Sequence, residues 1–276
     1  MSRVAVCRLA PVPELSPATF FANMPTVHIG TSGWHYGHWR GPFYPTDLAA
    51  SRMLRWYAER LDTVEINNSF YRLPSDDALA AWVSETPADF CFAVKASRYI
   101  THRKRLRDPE NPVANFLPRI QKLGKKLGPI LFQLPPRWGV NLERLNEFLR
   151  VLPKKNHYAF EFRDPSWSTP AVYQLLRRYN AAFCIFEIAG WQSPIEVTAD
   201  FAYVRLHGSG EKAYQGDYTK ARLRNWAKKI EAWRRKLQGI YVYFDNDQAG
   251  FAAKNALELK RLITAGAFPF GGELRT

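Results

Sequence analysis

Cysteine is scarce in this chain of 276 residues: Cys7, Cys91 and Cys184 stand far apart, with no Cys-x-x-Cys pair among them. Such spacing excludes a disulfide framework and a zinc knuckle and fits a reducing compartment, so a cytoplasmic protein is expected. Long apolar runs are missing as well. No stretch approaches the roughly 18 to 20 residues that cross a bilayer as a helix, so no membrane partner is expected. Residues 1–24 hold only short apolar runs, cut by Arg8, Pro11, Pro13, Glu14 and Pro17, which is wrong for a secretory signal. They are read as a loosely ordered arm over residues 1–25, with Met24 as an alternative start, ahead of one domain over 26–276. Negative charge is short too, since 25 Asp and Glu face 39 Lys and Arg and leave a net charge of +14. That sign selects anionic partners, either small molecules or nucleic acid.

What the chain has in quantity is core material, 46% hydrophobic and 14% aromatic, which excludes a disordered or fibrous protein. From residue 26 onward, short β-rich runs alternate with amphipathic helical stretches, the order of parallel strands joined by crossover helices. Strands are expected at 27–32, 63–67, 90–95, 129–133, 158–163, 182–187, 201–207 and 240–245, and helices at 47–61, 75–83, 112–127, 141–152, 168–179, 219–237 and 250–265. Eight strands close a ring, so the expected fold class is α/β, a (β/α)8 TIM-type barrel. The segment 189–198 is too short for a full helix, so the crossover after strand six is short or missing. A doubly wound open sheet is the alternative, but no Gly-x-Gly-x-x-Gly follows the first strand.

Alternation along the strands separates their two faces. One parity holds Val27/Ile29, Val64/Ile66, Phe92/Val94, Ile130/Phe132, Phe160/Phe162, Cys184/Phe186, Val204/Leu206 and Val242/Phe244, and is expected beneath the helices. The other parity ends in Ser32, Glu65/Asn67, Lys95, Gln133, Glu161/Arg163, Glu187, Arg205/His207 and Tyr243/Asp245. Polar groups therefore gather inside the ring at the carboxyl ends of the strands, where barrel active sites are built.

Seven segments share a pattern: GTSGW at 30–34, VEINNSFYRLPS at 64–75, FAVKAS at 92–97, LFQLPP at 131–136, EFRDPSW at 161–167, YVRLHG at 203–208 and YFDNDQAGFAAKNA at 243–256. Together they resemble the YecE-like family, a bacterial family of unknown function, over about residues 26–265. The resemblance implies a TIM-type barrel. At the level of fold it also implies likeness to sugar isomerases and metal-dependent abasic-site endonucleases, which by itself assigns no activity. The chain departs from the family's pattern at Glu187, where an aspartate is common nearby, at Ser209, where arginine is frequent, and at Asp245, where asparagine is usual.

The rim set Glu65, Lys95, Glu161, Arg163, Glu187, Arg205, His207 and Asp245 has two readings. It is a structural salt-bridge network, because buried charges must pair, or it is a site in which some members move protons. On the second reading Glu65, Glu161 and His207 are the catalytic candidates. Asn67, Lys95, Gln133, Arg163, Arg205, Asp245 and Asn246 then bind substrate, together with the aromatics Trp34, Tyr71 and Trp167. Gly208, Ser209, Gly210 and Gly250, in the loops after strands seven and eight, form a candidate phosphate cradle. No cofactor is predicted. A divalent metal on Glu65, Glu161, Glu187, His207 or Asp245 is the less favoured reading, because the cations compete for the same carboxylates.

Aromatics fill the mouth loops (Trp34, Tyr36, Trp39, Tyr44, Phe70, Tyr71, Trp138, Trp167, Trp191, Tyr214 and Tyr218) and suit a ring-bearing ligand. Residues 98–126 carry nine basic and two acidic side chains, and 219–237 carry eight and one. These features favour an enzyme acting on an anionic, ring-containing substrate: a phosphorylated sugar, a nucleotide or a nucleic acid end. The alternative is a non-catalytic binder of single-stranded or damaged nucleic acid.

Overall fold

Alternation is what builds this molecule, as the computed structural model, which describes residues 25–266, makes plain. The arm expected at the amino terminus falls almost wholly outside those residues. Eight strands run parallel around the ring: β1 Thr26–Ser32, β2 Thr63–Ile66, β3 Cys91–Lys95, β4 Leu127–Gln133, β5 Tyr158–Glu161, β6 Ala181–Ile188, β8 Phe201–Leu206 and β9 Gly239–Phe244. A two-residue strand, β7 Trp191–Gln192, turns back antiparallel on β6. The order β5-β4-β3-β2-β1-β9-β8-β6 is closed by pairing of β5 with β6. The fold is the expected TIM-type barrel.

Among the described residues seven α-helices lie outside: α1 Met53–Ala58, α2 Asp76–Glu85, α3 Glu110–Ile120, α4 Leu142–Val151, α5 Pro170–Arg178, α6 Lys220–Arg234 and α7 Phe251–Thr264. Their starts follow local chemistry. Ser75, Asn141, Thr169 and Thr219 each accept a backbone N–H from the first turn, and Pro170 takes the position where a missing N–H costs nothing. No helix follows β6, as expected. In its place β7 and an extended segment return to β8, tied down by Ser193 Oγ, which accepts the Phe186 N–H at 2.9 Å, and Thr198 Oγ1, which accepts that of Phe183 at 2.7 Å.

The strand faces sort as expected in seven strands. Ile29, Val64, Ile66, Phe92, Val94, Ile130, Phe132, Phe160, Phe162, Val204, Leu206, Val242 and Phe244 join one core with the helices. Inside the ring, β8 and β9 bring Phe201, Tyr203, Tyr241 and Tyr243, while β3 to β6 bring Cys91, Ala93, Leu131, Ala159, Ala182 and Cys184. Large rings from one side fill the space that small residues leave on the other, which is how so narrow an interior reaches solid density.

Strand β6 corrects the expectation. Phe183 and Ile185 face the helices and Cys184 faces inward, so Glu187 points outward, where its Oε1 accepts from Trp226 Nε1 of α6 at 3.1 Å. Both parities of this strand are apolar, so alternation could not choose between them, and volume did: Ala182 and Cys184 fit the crowded interior, whereas Phe183 does not.

Close strand approach depends on Gly30, where an added Cβ would lie 2.1 Å from the carbonyl oxygen of Thr63 on β2. Backbone cannot swing aside as a side chain can. Gly30→Ala is expected to destabilise the fold by about 1–3 kcal/mol, read as a lower urea midpoint with an unchanged slope.

Candidate functional site

Arg205 occupies the centre of the mouth, fully buried, because it follows Tyr203 on the inward face of β8. Its Nε and Nη2 donate to the two oxygens of Glu65 at 3.0 and 2.7 Å, its Nη1 donates to Glu161 Oε2 at 2.8 Å, and Nη2 also reaches Asp245 Oδ2 at 3.0 Å. Glu65 takes two more donors, Ser32 Oγ and Tyr203 Oη, each at 2.6 Å. Glu161 is completed by Arg163 Nε. One guanidinium thus joins β8 to β2, β5 and the residue after β9, with the planar fork that lysine could not supply.

His207 is buried beside this network. Its Nδ1 lies 2.9 Å from Asp245 Oδ2, while Nε2 faces Arg163 Nη2 at 3.1 Å and Arg205 Nη1 at 3.3 Å. A guanidinium only donates, so Nε2 accepts and the ring proton sits on Nδ1, directed to Asp245. Tyr214 covers the ring edge-on at 5.4 Å and is held there in a left-handed conformation, φ 66°, by its N–H bond to the His207 carbonyl at 2.7 Å.

Burial raises the Glu161 carboxyl, but Arg163 and Arg205 more than offset it and hold it well below the usual range. Asp245 is likewise pushed up by burial and brought below normal by Arg205 and His207. A carboxylate held so far toward its ionised form, with its oxygens already taken, is a poor proton carrier near neutrality. Among the described residues no three His, Cys, Asp or Glu side chains gather in metal-holding geometry. Arg205 supplies the cation between the carboxylates.

Above the network stands Lys95, at the inward end of β3 and partly exposed. Its Nζ lies 4.6 Å over the Phe70 ring and makes no ion pair among the described residues. Burial, then Arg205, lowers its pKa, although Asp245, Glu65 and Glu161 pull the other way. His102, in the loop after β3, packs edge-on against Phe70 at 5.0 Å, and burial with Lys95, Arg98 and Arg163 pushes it down to about 4. The sequence placed His102 and Arg98 only in a basic run. That run begins in the mouth-side loop after the third strand, which suited it to a phosphate backbone, but its pattern gave neither residue a role of its own.

The other expected members divide. Gln133 pairs in register with Glu161 at the end of β4, and Asn67 follows β2 with its Oδ1 buried and unpartnered. Tyr71 is 75% exposed, beside Phe70 and beneath Arg98. Trp34 and Trp167 are instead closed into the core, Trp34 against Trp82 and Trp167 against Trp138, with Trp167 Nε1 donating to the Trp138 carbonyl at 2.6 Å. Asn246 serves the chain itself, donating to Gly216 O and Asn255 Oδ1.

The glycine loops are turned to internal use as well. Gly210 N donates to Gln215 O, Ser209 Oγ donates to Asp217 O, and Gly250 N donates to Asp247 O. A Cβ at Gly208 would lie 2.1 Å from the Gln215 carbonyl oxygen. These glycines make tight turns, and the N–H groups of Gly210 and Gly250 are already spent.

A closed parallel barrel with an arginine-centred ion network under its carboxyl mouth defines the class as (β/α)8 barrel proteins. Within it, the chain belongs to the family described as protein of unknown function DUF72, matched over residues 28–270. It is 26% identical to UPF0759 protein YunF of Bacillus subtilis (strain 168), over 86% of this chain and 94% of YunF. It is 31% identical to UPF0759 protein YecE of Escherichia coli (strain K12), over 51% of this chain and 50% of YecE. A DUF72 family protein from Thermotoga maritima MSB8 superposes with a TM-score of 0.79 at 30% identity, covering 87% of this chain and 99% of that one. A DUF72 family protein from Enterococcus faecalis V583, with a TM-score of 0.76 at 20% identity over 87% of this chain and 96% of that one, shares the fold. The resemblance to the YecE-like family read from the motifs holds. Among the described residues no helix is long and apolar enough to cross a membrane.

The network sets a pH dependence whose sign follows from Glu161 and Asp245. Both carboxyls titrate near 4 when unfolded and lower when folded, so their contribution is complete above about pH 5 and drains away as pH falls through the folded values. Arg205→Met removes the counter-charge and is expected to cost about 3–5 kcal/mol at pH 8. The deficit should shrink at pH 5 as the stranded carboxyls take up protons. Urea unfolding at the two pH values checks this, and an equal deficit at both contradicts it.

Proposed function

We propose that the barrel mouth binds an anionic, ring-bearing substrate, of the phosphorylated sugar or nucleotide class, and turns it over by acid–base chemistry. The observation that carries this reading is the surplus of cations around His102. Among the described residues Lys95 and Arg98 make no ion pair, while Arg163, which also bears on that imidazole, is bound to Glu161 and the other carboxylates below are held by Arg205 and His207. An anion set among these side chains completes the charge balance that the protein leaves open. Tyr71 and Tyr214, both exposed, offer ring faces at the same opening.

In this reading Glu65, Glu161 and His207 orient the arginines. The proton is carried by Lys95, whose amine is displaced toward neutrality by burial and by Arg205, with the phenol of Tyr214 as a donor. Arg163, with its guanidinium 4.9 Å over the Phe186 ring, is fixed in direction and meets the substrate's charge.

One observation favours the second reading, a non-catalytic nucleic acid binder. Arg98, Arg103, Arg105 and Arg107 are exposed in the loop after β3, where among the described residues the one ion pair is Lys104 with Asp108 at 2.8 Å. Such a row can follow a phosphate backbone.

Thermal shift with phosphorylated and unphosphorylated forms of the same sugars and nucleosides tests the proposal, since a ligand of the folded state raises the Tm. The phosphorylated forms should stabilise, and Arg98→Ala combined with Lys95→Met should weaken them about tenfold or more, near 1.4 kcal/mol. The binder is favoured instead if only oligonucleotides bind, with affinity that falls steeply with salt and without turnover.

A further inference from the structure

We propose that Lys95 is an amine nucleophile that forms a Schiff base with the carbonyl carbon of an anionic aldehyde or ketone held at the barrel mouth. This rests on the anion-binding reading above and names the substrate as a carbonyl compound carrying phosphate or carboxylate.

Among the described residues, the Lys95 ammonium has no acceptor. The contrast with Lys126 is direct: that lysine is also largely buried, but its Nζ donates to Val83 O at 2.6 Å, Thr86 O at 2.8 Å and Thr86 Oγ1 at 3.0 Å. Lysines with structural duties in this protein are paired, as Lys104 is with Asp108 and Lys260 with Asp62. Lys95 stands near three carboxylates, Glu65, Glu161 and Asp245, close enough for each to bear on its charge, and bonds to none of them. Arg205, Arg163 and His207 hold those oxygens. Its backbone, by contrast, is fixed: Ser69 Oγ donates to the Lys95 carbonyl at 2.6 Å. The result is a rigidly based amine with its donors unspent, facing the opening of the barrel.

Its surroundings suit addition to a carbonyl. Burial and the neighbouring Arg205 lower its pKa, which increases the share of free amine near neutrality. Phe70 walls one side at 4.6 Å. Arg98 stands over the Tyr71 ring at 6.0 Å and Arg163 over the Phe186 ring at 4.9 Å, and both, like Lys95, bear on His102, an arrangement that supplies cations for the anionic group of the substrate. The neutral His102 adds no charge that would compete with theirs.

The step balances without any further reagent. The amine lone pair attacks the carbonyl carbon, a C–N bond forms, and the carbonyl π pair moves to oxygen, which is protonated to give a carbinolamine. Loss of that oxygen as water breaks the C–O bond and leaves an iminium. Counted from the ammonium, three protons on nitrogen become one on the iminium and two in the water released, and nothing is oxidised or reduced.

Borohydride tests this, because it delivers hydride to an iminium carbon and fixes it as a stable secondary amine. The full chain is incubated with dihydroxyacetone phosphate, ribose 5-phosphate or pyruvate, with dihydroxyacetone as the uncharged control, then reduced and mapped by peptide mass spectrometry. The expected result is one adduct on the Lys95 peptide with at least one anionic probe, at least tenfold above the control. Which probe reacts distinguishes phosphate from carboxylate. The adduct should vanish in Lys95→Arg, which keeps the charge, and persist in Lys126→Arg. Thermal shift with the same probes separates the failures. Probes that raise the Tm without an adduct on Lys95 overturn the nucleophile alone, as does equal labelling of wild type and Lys95→Arg. Probes that neither raise the Tm nor label Lys95 overturn the anion-binding reading and this inference together.

Discussion

The guanidinium of Arg205 is the point on which the mouth of this barrel depends. A buried carboxylate is costly, and here Glu65 and Glu161 are both buried at one level of a narrow ring, with Asp245 beside them. Only a cation that reaches several of them at once makes the arrangement tolerable. Arginine does so because its donors diverge in one plane, and Nη2 even reaches Ser32 Oγ at 3.2 Å, adding β1 to the strands already tied. With Arg163 and His207, Arg205 takes up the carboxylates, and among the described residues the lysine above them is left without an ion-pair partner.

Much of the barrel was legible in the sequence because alternation is a physical constraint: a residue cannot face both the helices and the axis. Seven strands obeyed it, with apolar residues such as Val64 and Ile66 outside and polar ones such as Glu65 inside. Strand β6 did not yield because Ala182 through Phe186 is apolar at every position, which removes the signal. There the decision passes to volume, and volume depends on the opposite wall. Tyr203 and Tyr243 leave room for Ala182 and Cys184 but not for Phe183, and no local pattern contains that information. Glu187 was misplaced as a direct consequence.

The loops divide for a different reason. Residue type says that Trp34, Trp167 and Tyr71 are flat and amphipathic, but not whether another ring already covers them. Trp167 finds Phe162 at 4.7 Å and Trp138 at 5.4 Å and is lost to the solvent, whereas Tyr71 stays out. Glycines behave likewise. Gly208, at φ 107°, sits where the chain folds back on Gln215, so the residue reports a close approach of backbone to backbone rather than of backbone to ligand. The distinction needs the partner's position.

The ion network and the rim above it obey opposite rules, and the difference is what gives the mouth chemical potential. In the lower layer every carboxylate is hydrogen-bonded to a guanidinium: Glu65, Glu161 and Asp245 to Arg205, and Glu161 to Arg163 as well. Glu65 alone accepts four hydrogen bonds, from Ser32, Tyr203 and two nitrogens of Arg205. In the upper layer Lys95 and Arg98 make no ion pair among the described residues, and burial first, then the charges of Lys95, Arg98 and Arg163, push the His102 imidazole down to about 4. A fold gains nothing in stability from that crowding, since each added cation raises the cost of the others. Side chains kept in such an arrangement are better explained by what they meet from outside than by what they hold within. The lower layer gives the upper one its rigidity: Arg163 is anchored by Glu161 and braced on Phe186, so in the proposed reading its free edge keeps one direction toward the anion.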